Sequence, residues 1–186
     1  DLRINLNLGM DYAKSGGFSE TPVGSEQSLH STAQSGSGYH SEYSYERMDK
    51  TLELYAAYNK DFTGGHHFDA MAGYSWQQFY YKSSDYSFKL TDGTELSKNN
   101  PAGELFLVSF FGRVNYSYDN RYMLTATLRR DGTSRFSNNK WGLFPSVAFG
   151  WNIANEDFLK DNETLTTLKL RASWGQTGQQ GVGGYY

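Results

Sequence analysis

The sequence predicts an all-β fold, an antiparallel up-and-down transmembrane β-barrel, of which this 186-residue chain supplies about seven strands as an incomplete segment of a larger barrel. Three observations support this prediction. Apolar and polar residues alternate with a period of two, the connections between segments alternate between long and short, and aromatic residues gather beside the short connections. These features together are typical of outer-membrane barrels, which have short turns at one end and longer loops at the other.

The first predicted strand shows the alternation clearly. Its apolar side chains are Leu2, Ile4, Leu6, Leu8, Met10 and Tyr12. Six further segments repeat the pattern, at alternate positions of 52–58, 68–76, 106–118, 122–128, 143–151 and 168–174. The positions between are polar, charged or small nearly throughout, which predicts a wet face opposite an apolar face. A soluble antiparallel sheet with one wet face predicts the same alternation, so the period alone leaves both folds open.

The lengths of the connections favour the barrel. Long connections are predicted at 13–38 and 87–103, a moderately long one at 131–140, and short ones at 63–66 and 119–121. A medium turn covers 155–166, and the only helical candidate, a short helix beginning at Ala154 and ending at Leu159, overlaps its start. A soluble sandwich has no reason to sort its connections by length, whereas an outer-membrane barrel does.

Aromatic residues on the apolar face lie within a few residues of the connections predicted to be periplasmic. They are Tyr58, Phe62, Phe68, Tyr116, Tyr118, Tyr122 and Trp151. Positions in the middle of the strands on that face are leucine, valine and alanine instead. Because amphipathic rings favour the headgroup level of a membrane, this placement predicts an aromatic girdle.

The composition excludes several classes of function. Seventeen basic residues face 20 acidic ones, a net charge of −3 without a polybasic patch, so nucleic acid is not an expected partner. The chain has no cysteine and therefore no disulfide or thiolate chemistry. No run of 18 apolar residues exists for a helical span, and no signal peptide is visible. The first residue already lies in a patterned segment, so we expect the natural start to lie upstream.

The histidines give no convincing metal site. His66, His67 and Asp69 lie close in sequence, and His30 and His40 lie in the first long connection. Adjacent strand residues point to opposite faces, however, so His66 and His67 cannot readily bind one ion. The spacing matches no zinc pattern, and a histidine in a turn is the favoured interpretation.

The densest charge cluster contains Arg129, Arg130, Asp131 and Arg135. Asp131 and Gly132 form a dipeptide typical of turns, which places the cluster where a strand leaves the membrane for an outer loop. Arg129 belongs to the inward-facing set. It either contacts an anionic or hydroxylated ligand or, as we favour, neutralises carboxylates of the barrel wall.

No catalytic or cofactor-binding residues are predicted. The glycines of 175–184 lack the lysine and helix of a phosphate-binding loop, so this stretch is interpreted as an outer loop. Two sequons, at Asn115 and Asn162, are uninformative. No Ser/His/Asp set or facing pair of carboxylates can be assembled, which predicts a protein that is not an enzyme and holds no cofactor.

The parity of the pattern fixes one register and one pair of orientations. Inward positions are odd-numbered on both sides of the turn at 119–121, so opposed residues must sum to an even number. We therefore predict a three-residue turn with Tyr118 opposite Tyr122 and Arg113 opposite Thr127. In the same strand, Ala126 is predicted to face lipid and Thr127 the barrel lumen.

Several strings go beyond pattern and resemble the barrel of TonB-dependent outer-membrane transporters of the SusC/RagA type. They are SFFGRVNY at 109–116 followed by YDNRY at 118–122, LRRDGTSRF at 128–136, NKWGLFPSVAFGW at 139–151, and LKLRASWGQTG at 168–178. The first 100 residues are similar in pattern only.

The resemblance implies that residues 1–186 are a partial transporter barrel domain in the outer membrane of a Gram-negative cell. It implies import of nutrients, often glycans or peptides, with energy from the TonB complex and with a SusD-like surface lipoprotein as partner. Seven strands are about a third of a 22-stranded plugged barrel, so the plug domain and TonB box are expected outside this chain. The alternative is a structural or adhesive β-protein, either another outer-membrane barrel or a soluble carbohydrate-binding sandwich.

Overall fold

The computed structural model describes residues 1–30, 35–159 and 164–178, which form one antiparallel sheet. The eight strands are β1 (Leu2–Thr21), β2 (Tyr39–Phe62), β3 (His66–Lys89), β4 (Glu95–Asn99), β5 (Ala102–Tyr118), β6 (Tyr122–Thr133), β7 (Trp141–Asn152) and β8 (Lys169–Gly175). Seven of them are neighbours in the order β1-β2-β3-β5-β6-β7-β8, and β4 pairs with β3. A short helix, α1 (Glu26–His30), and a 3₁₀ turn (Ile153–Asn155) complete the regular structure described. The all-β antiparallel prediction is confirmed.

The turn between β5 and β6 has the predicted length and register. Tyr118 is opposite Tyr122, and Arg113 is opposite Thr127. Asp119 and Asn120 both have φ of 51°, in the left-handed region that these two residue types tolerate better than most. The Arg121 amide closes the turn on the Tyr118 carbonyl at 2.9 Å. The tight turn and the two apolar patterns therefore specify the same pairing.

The register continues unbroken through the next two strands. One row runs across four strands through Val114, Ala126, Val147 and Trp174. The adjacent row runs through Arg113, Thr127, Ser146 and Gly175. We call the side of the sheet that carries the first row the apolar face and the side that carries the second row the polar face. Every alternating set predicted in β5 to β8 falls on its own side.

The turn between β2 and β3 is also short, at residues 63–65. Gly64 and Gly65 have φ of 85° and 81°, a conformation that side chains other than glycine rarely adopt. The Gly65 carbonyl accepts a hydrogen bond of 2.7 Å from the Asp119 amide, so the two predicted short turns contact each other. The two turns lie at the same end of the sheet, as the connection lengths predict.

The strands are longer than the sequence predicts, and one strand was missed. β1 extends to Thr21, into the connection predicted at 13–38, whereas β2 begins at Tyr39, directly after that connection. β3 extends to Lys89, and β4 lies inside the connection predicted at 87–103, where it pairs with β3 through Tyr86 opposite Lys98. These stretches carry polar residues on both sides and show no alternation. Backbone hydrogen bonds hold the ladder without it.

Two local predictions are wrong. The helix predicted from Ala154 to Leu159 is a 3₁₀ turn of three residues, because Glu156 has an extended backbone with ψ of 148° that ends it. Asp131 and Gly132 do not form a turn but lie inside β6, which continues to Thr133. A Cβ on Gly132 would come within 2.9 Å of the Trp141 ring, so this glycine permits a close cross-strand approach instead of a turn.

The described residues form two compact units. The first contains Asp1–Leu8, Thr51–Gln77 and the part of the chain from Phe106 onward, and the second contains Gly9–Lys50 and Gln78–Leu105. In the second unit, Ser28 of α1 is fully buried and its hydroxyl accepts a 2.8 Å hydrogen bond from the Gly38 amide. In the same unit, His40 lies between the rings of Phe18 and Phe88, with centroids 5.5 and 5.2 Å away.

The sheet has almost no core of its own. Among the described residues, Ala154 is the one buried hydrophobic residue, whereas the apolar face is open: Val114 is 41% exposed, Val147 43% and Trp174 63%. None of the helices described is long and apolar enough to cross a bilayer. The apolar face therefore needs an apolar environment from outside the chain.

Candidate functional site

Aromatic rings line one end of the apolar face in the first unit. The Tyr122 ring stacks between those of Tyr118 and Trp151, with centroids 6.5 and 6.4 Å away and interplanar angles of 11° and 15°. The His66 ring lies 4.6 Å from the Tyr118 ring and hydrogen-bonds with the Tyr116 hydroxyl at 2.7 Å. These rings form a continuous row across β3, β5, β6 and β7. Tyr116, Tyr118, Tyr122 and Trp151 of the predicted girdle are therefore adjacent at one end of the sheet, and their position at a membrane surface stays a prediction.

A buried carboxylate anchors this row to the segment after β7. Glu156 is 8% exposed and accepts hydrogen bonds from the Tyr122 hydroxyl at 2.7 Å and the Trp151 indole at 2.8 Å. Arg121 donates to its second oxygen at 3.1 Å and also pairs with Asp119 at 2.9 Å. The hydrogen bonds from Tyr122 and Trp151 hold the pKa of the Glu156 carboxyl below its ordinary value. The ring orientations at this end are thus fixed by polar contacts.

A second group of aromatic and cationic residues marks the other end of the apolar face. The Trp141 ring stacks on the Phe110 ring, with centroids 6.1 Å apart. The Arg130 guanidinium lies 5.0 Å from the centroid of the Trp141 ring. Trp141 and Trp151 share one side of β7 and are ten residues apart, about 34 Å along an antiparallel strand. A barrel tilt of 35–45° projects this to about 24–28 Å, which matches the ~25 Å apolar band of outer-membrane barrels.

Polar side chains on the opposite face contact one another. Asn115 donates to Asp69 at 2.8 Å and accepts from the Thr125 hydroxyl at 2.9 Å, so one chain of hydrogen bonds joins β3, β5 and β6. Asn115 is the first sequon asparagine, and both ends of its amide are engaged in this chain. These three side chains therefore find their partners on neighbouring strands, within the polar face itself.

The polar face of the first unit contains a concavity of about 520 Å³. Its charged lining residues are Glu53, Arg113, Arg129 and Asp131. Arg129 donates through Nε to the Asp131 carboxylate at 2.7 and 2.9 Å and through Nη2 to the Ser109 hydroxyl at 3.1 Å. The ion pair confirms that Arg129 neutralises a wall carboxylate. The Arg129 side chain is still 51% exposed, and its contact with a ligand stays a prediction.

Aromatic side chains also lie on the polar face, which the sequence analysis missed. Phe111 and Phe144 are the cross-strand partners of Arg129, so this residue has a phenylalanine opposite it on both neighbouring strands. Gln77 and Ser75 line the same concavity as Phe111. The register alone would have revealed this, because positions 111, 129 and 144 all belong to the inward-facing sets. A surface with rings, opposite charges and amides can contact both the polar and the apolar parts of a ligand.

The histidines do not form a metal site. His66 and His67 lie in the first two positions of β3 and not in a turn, and they have different partners, Tyr116 and Asp61. His40 contacts Glu20 and Glu42 at 3.2 Å through opposite ring nitrogens, which cannot both serve one ion. His30 contacts Glu26 alone, at 4.0 Å. Over 1–30, 35–159 and 164–178, no group of three or more metal-binding side chains comes together.

The predicted outer loop at 175–184 lies partly within the described residues. Gly175 ends β8, and the Gln176 amide donates to the Pro145 carbonyl at 3.0 Å. Positions 179–184, and the second sequon asparagine at 162, lie outside the described residues.

These features define a class: a strip of transmembrane β-barrel wall with one face for lipid, bounded by aromatic rings, and one polar face for a lumen. A family model described as "TonB dependent receptor-like, beta-barrel" matches residues 1–186. The chain belongs to this family, and the resemblance to its SusC/RagA type is confirmed. The soluble sandwich is not supported, because the described strands lie in one sheet.

Relatives and solved structures agree with this assignment. The TonB-dependent receptor SusC of Bacteroides thetaiotaomicron is 38% identical over 98% of this chain, which spans 18% of that protein. The TonB-dependent receptor P3 of Formosa agariphila is 38% identical over 95% of the chain and 19% of its own length. The structure of the RagAB peptide transporter matches 99% of this chain, with a TM-score of 0.82 and 25% identity. The match covers 21% of the transporter chain. The chain thus spans about a fifth of these relatives.

Proposed function

We propose that this chain is part of the outer-membrane barrel of a TonB-dependent active transporter that imports glycans or peptides. The observation that carries the proposal is the two-faced sheet: an open apolar face bounded by aromatic rings and, one residue away along each strand, a self-contained polar face. Membership of the receptor family along the whole chain supports it. The relatives are named as receptors and transporters, so we propose a role in transport and not in catalysis.

The polar face suits a cargo that offers many hydrogen-bonding groups. The concavity around Arg129 presents two cations and two carboxylates beside the Phe111 ring. Peptide backbones and sugar hydroxyls both donate and accept hydrogen bonds, and a surface with charges of both signs can satisfy both types of group. Half-exposed Arg129 retains donors for such a cargo while Asp131 balances its charge. Glycans and peptides are both compatible with this chemistry, and RagAB is named as a peptide transporter.

The partners of transport act through the remainder of the protein. This chain spans about a fifth of its relatives, so we propose that contacts with the TonB complex and with a SusD-like surface lipoprotein involve segments outside it. The wall described contributes lipid contact on one side and lumen surface on the other.

Uptake by cells that carry or lack the full-length gene tests the proposal. Labelled oligosaccharide and oligopeptide mixtures are supplied, and accumulation is compared in the wild type, the gene deletion, the complemented deletion and a strain without TonB. We expect one cargo class to accumulate in the wild type and the complemented strain alone. Accumulation that is unchanged without the gene, or that continues without TonB, would show that active import is the wrong function.

A further inference from the structure

The apolar face of the first unit contains a groove of about 530 Å³. Small residues on four neighbouring strands form its floor: Ala56, Ala70, Ala72, Gly112 and Ala126. Larger side chains, Leu2, Tyr58, Val114 and Leu128, stand around them. Short side chains side by side on adjacent strands leave a depression, because the neighbouring rows project further from the sheet.

Gly112 shows that the groove is not forced by the backbone. A Cβ at this position would meet nothing closer than the Met71 carbonyl oxygen at 3.7 Å, an ordinary van der Waals distance. Gly112 is also not among the glycines with positive φ. Gly132 differs, because a Cβ there would press on the Trp141 ring. Gly112 therefore satisfies neither a turn nor a close approach, and its effect is to keep the groove open.

We expect this apolar groove to be filled by something outside the chain. Its lining offers few polar groups to hold water, and an empty space would forfeit the dispersion contacts of every lining atom. A second copy joined through the same face would set two concave surfaces against each other and leave the space open. A flexible hydrocarbon chain is narrow enough to lie along the floor.

A cation stands at one end of the groove. Lys60 is exposed, and its Nζ lies 4.9 Å from the centroid of the Phe62 ring, so it shares the apolar face. It follows Tyr58, the last lining residue of β2, by two positions, about 7 Å along the strand. The even positions of 52–62 and 66–76, which share this face, contain no acidic residue. Lys60 thus presents a positive charge at the level of the aromatic girdle, where phosphates of a bilayer lie.

We propose that the groove and Lys60 form a binding site for a single glycerophospholipid, with one acyl chain along the alanine and glycine floor and the phosphate at Lys60. The site rests on the outer-membrane placement proposed above. It adds a specific lipid to what would otherwise be a general contact with the bilayer. Its charge and the floor of its groove come from β2, β3, β5 and β6, so the lipid would bridge four strands of the wall.

Native mass spectrometry of the full-length protein, purified from membranes in mild detergent, counts the lipids that remain bound. We expect one retained phospholipid in the wild type and none in Gly112→Leu, which fills the floor. In titrations with phosphatidylglycerol, Lys60→Gln should bind the lipid about fivefold more weakly. One basic residue near an anionic membrane surface strengthens binding by about this factor. Leu124→Phe, on the same face outside the groove, and Lys169→Gln, on the polar face, are the matched controls and should behave as wild type.

Equal lipid retention in Gly112→Leu and wild type would overturn the proposal. If a variant no longer showed the mass of a dimer but kept its lipid, the groove would be the contact with a second copy instead, and the lipid site would be wrong. If Gly112→Leu does not assemble, Ala72→Leu fills the same floor from β3 and takes its place. Lipid is counted on the assembled barrel whether or not it imports cargo. A negative result here is therefore distinct from failure of the uptake experiment.

Discussion

The two faces of β5, β6 and β7 differ in what satisfies them, although they alternate residue by residue along the same strands. On the polar face, Asn115 hydrogen-bonds with Thr125 and with Asp69 of β3, and Arg129 pairs with Asp131. On the apolar face, the side chains keep much of their surface exposed: Leu124 is 45% exposed and Phe149 42%. These polar side chains find partners within the chain, whereas the apolar face depends on its surroundings.

This difference shows where the stability of the wall comes from. Fully burying a leucine or phenylalanine side chain contributes about 1.5–3 kcal/mol. The apolar face can gain this contribution only when lipid, detergent or another apolar surface covers it. The polar face adds specificity of register more than stability, because hydrogen bonds and ion pairs exposed to water contribute little net free energy.

Removing lipid altogether should have the largest effect. The isolated 186-residue chain in detergent-free buffer is expected to aggregate, because its apolar face is uncovered and its edge strands carry unpaired backbone groups. Size-exclusion chromatography followed by thermal denaturation checks this. A sharp monomeric peak with cooperative unfolding would contradict the membrane assignment and restore the sandwich.

The second largest effect is expected from placing a charge on each face, because only the apolar face should lose stability. In the full-length protein, Ala126→Arg should destabilise the folded barrel by about 2–4 kcal/mol, since it places a cation at a lipid-facing position near the middle of the strand. Thr127→Arg, one residue away, should assemble normally and alter uptake at most. Folded and unfolded forms can be compared by heat-dependent mobility in gels. Equal tolerance of both variants would contradict the distinction between the faces.

Two glycines on the apolar face offer a smaller contrast. Gly132→Ala should cost about 1 kcal/mol, because the new Cβ would lie 2.9 Å from the Trp141 ring and displace it. Gly112→Ala meets nothing closer than 3.7 Å and should be close to neutral. Urea denaturation of the full-length variants in detergent measures both. A larger cost at Gly112 would show that the groove is more tightly packed than described.

The polar face should respond least in stability. Arg129→Gln removes a half-exposed ion pair with Asp131 and should change the free energy of unfolding by less than about 1 kcal/mol. Its effect is expected in cargo uptake instead. Asp131→Asn serves as the matched variant, because it breaks the same pair and leaves the Arg129 donors in place. A loss of several kcal/mol in either variant would mean that the pair is a structural element of the wall.

The sequence predicted those parts of the fold that depend on a repeating pattern. The pairing of Tyr118 with Tyr122 followed from parity together with the tight turn at 119–121, because a shift by one residue would exchange the two faces. Strand β4 was missed because its residues do not alternate. The role of Glu156 was missed because its partners, Tyr122 and Trp151, become neighbours only after the strands pair. Phe111 and Phe144 were overlooked because they are exceptions on a polar face.

Thiol labelling tests the central claim, that the apolar face meets lipid and the polar face meets water, most directly. This chain contains no cysteine, so Ala126→Cys and Thr127→Cys each introduce a thiol that is unique within it. The assembled full-length variants are treated with a lipid-confined reagent and with a water-soluble reagent. The lipid-confined reagent should label position 126 and the water-soluble reagent position 127. The reverse pattern would contradict the assignment of the faces, and failure of the lipid-confined reagent at both positions would contradict the membrane barrel itself.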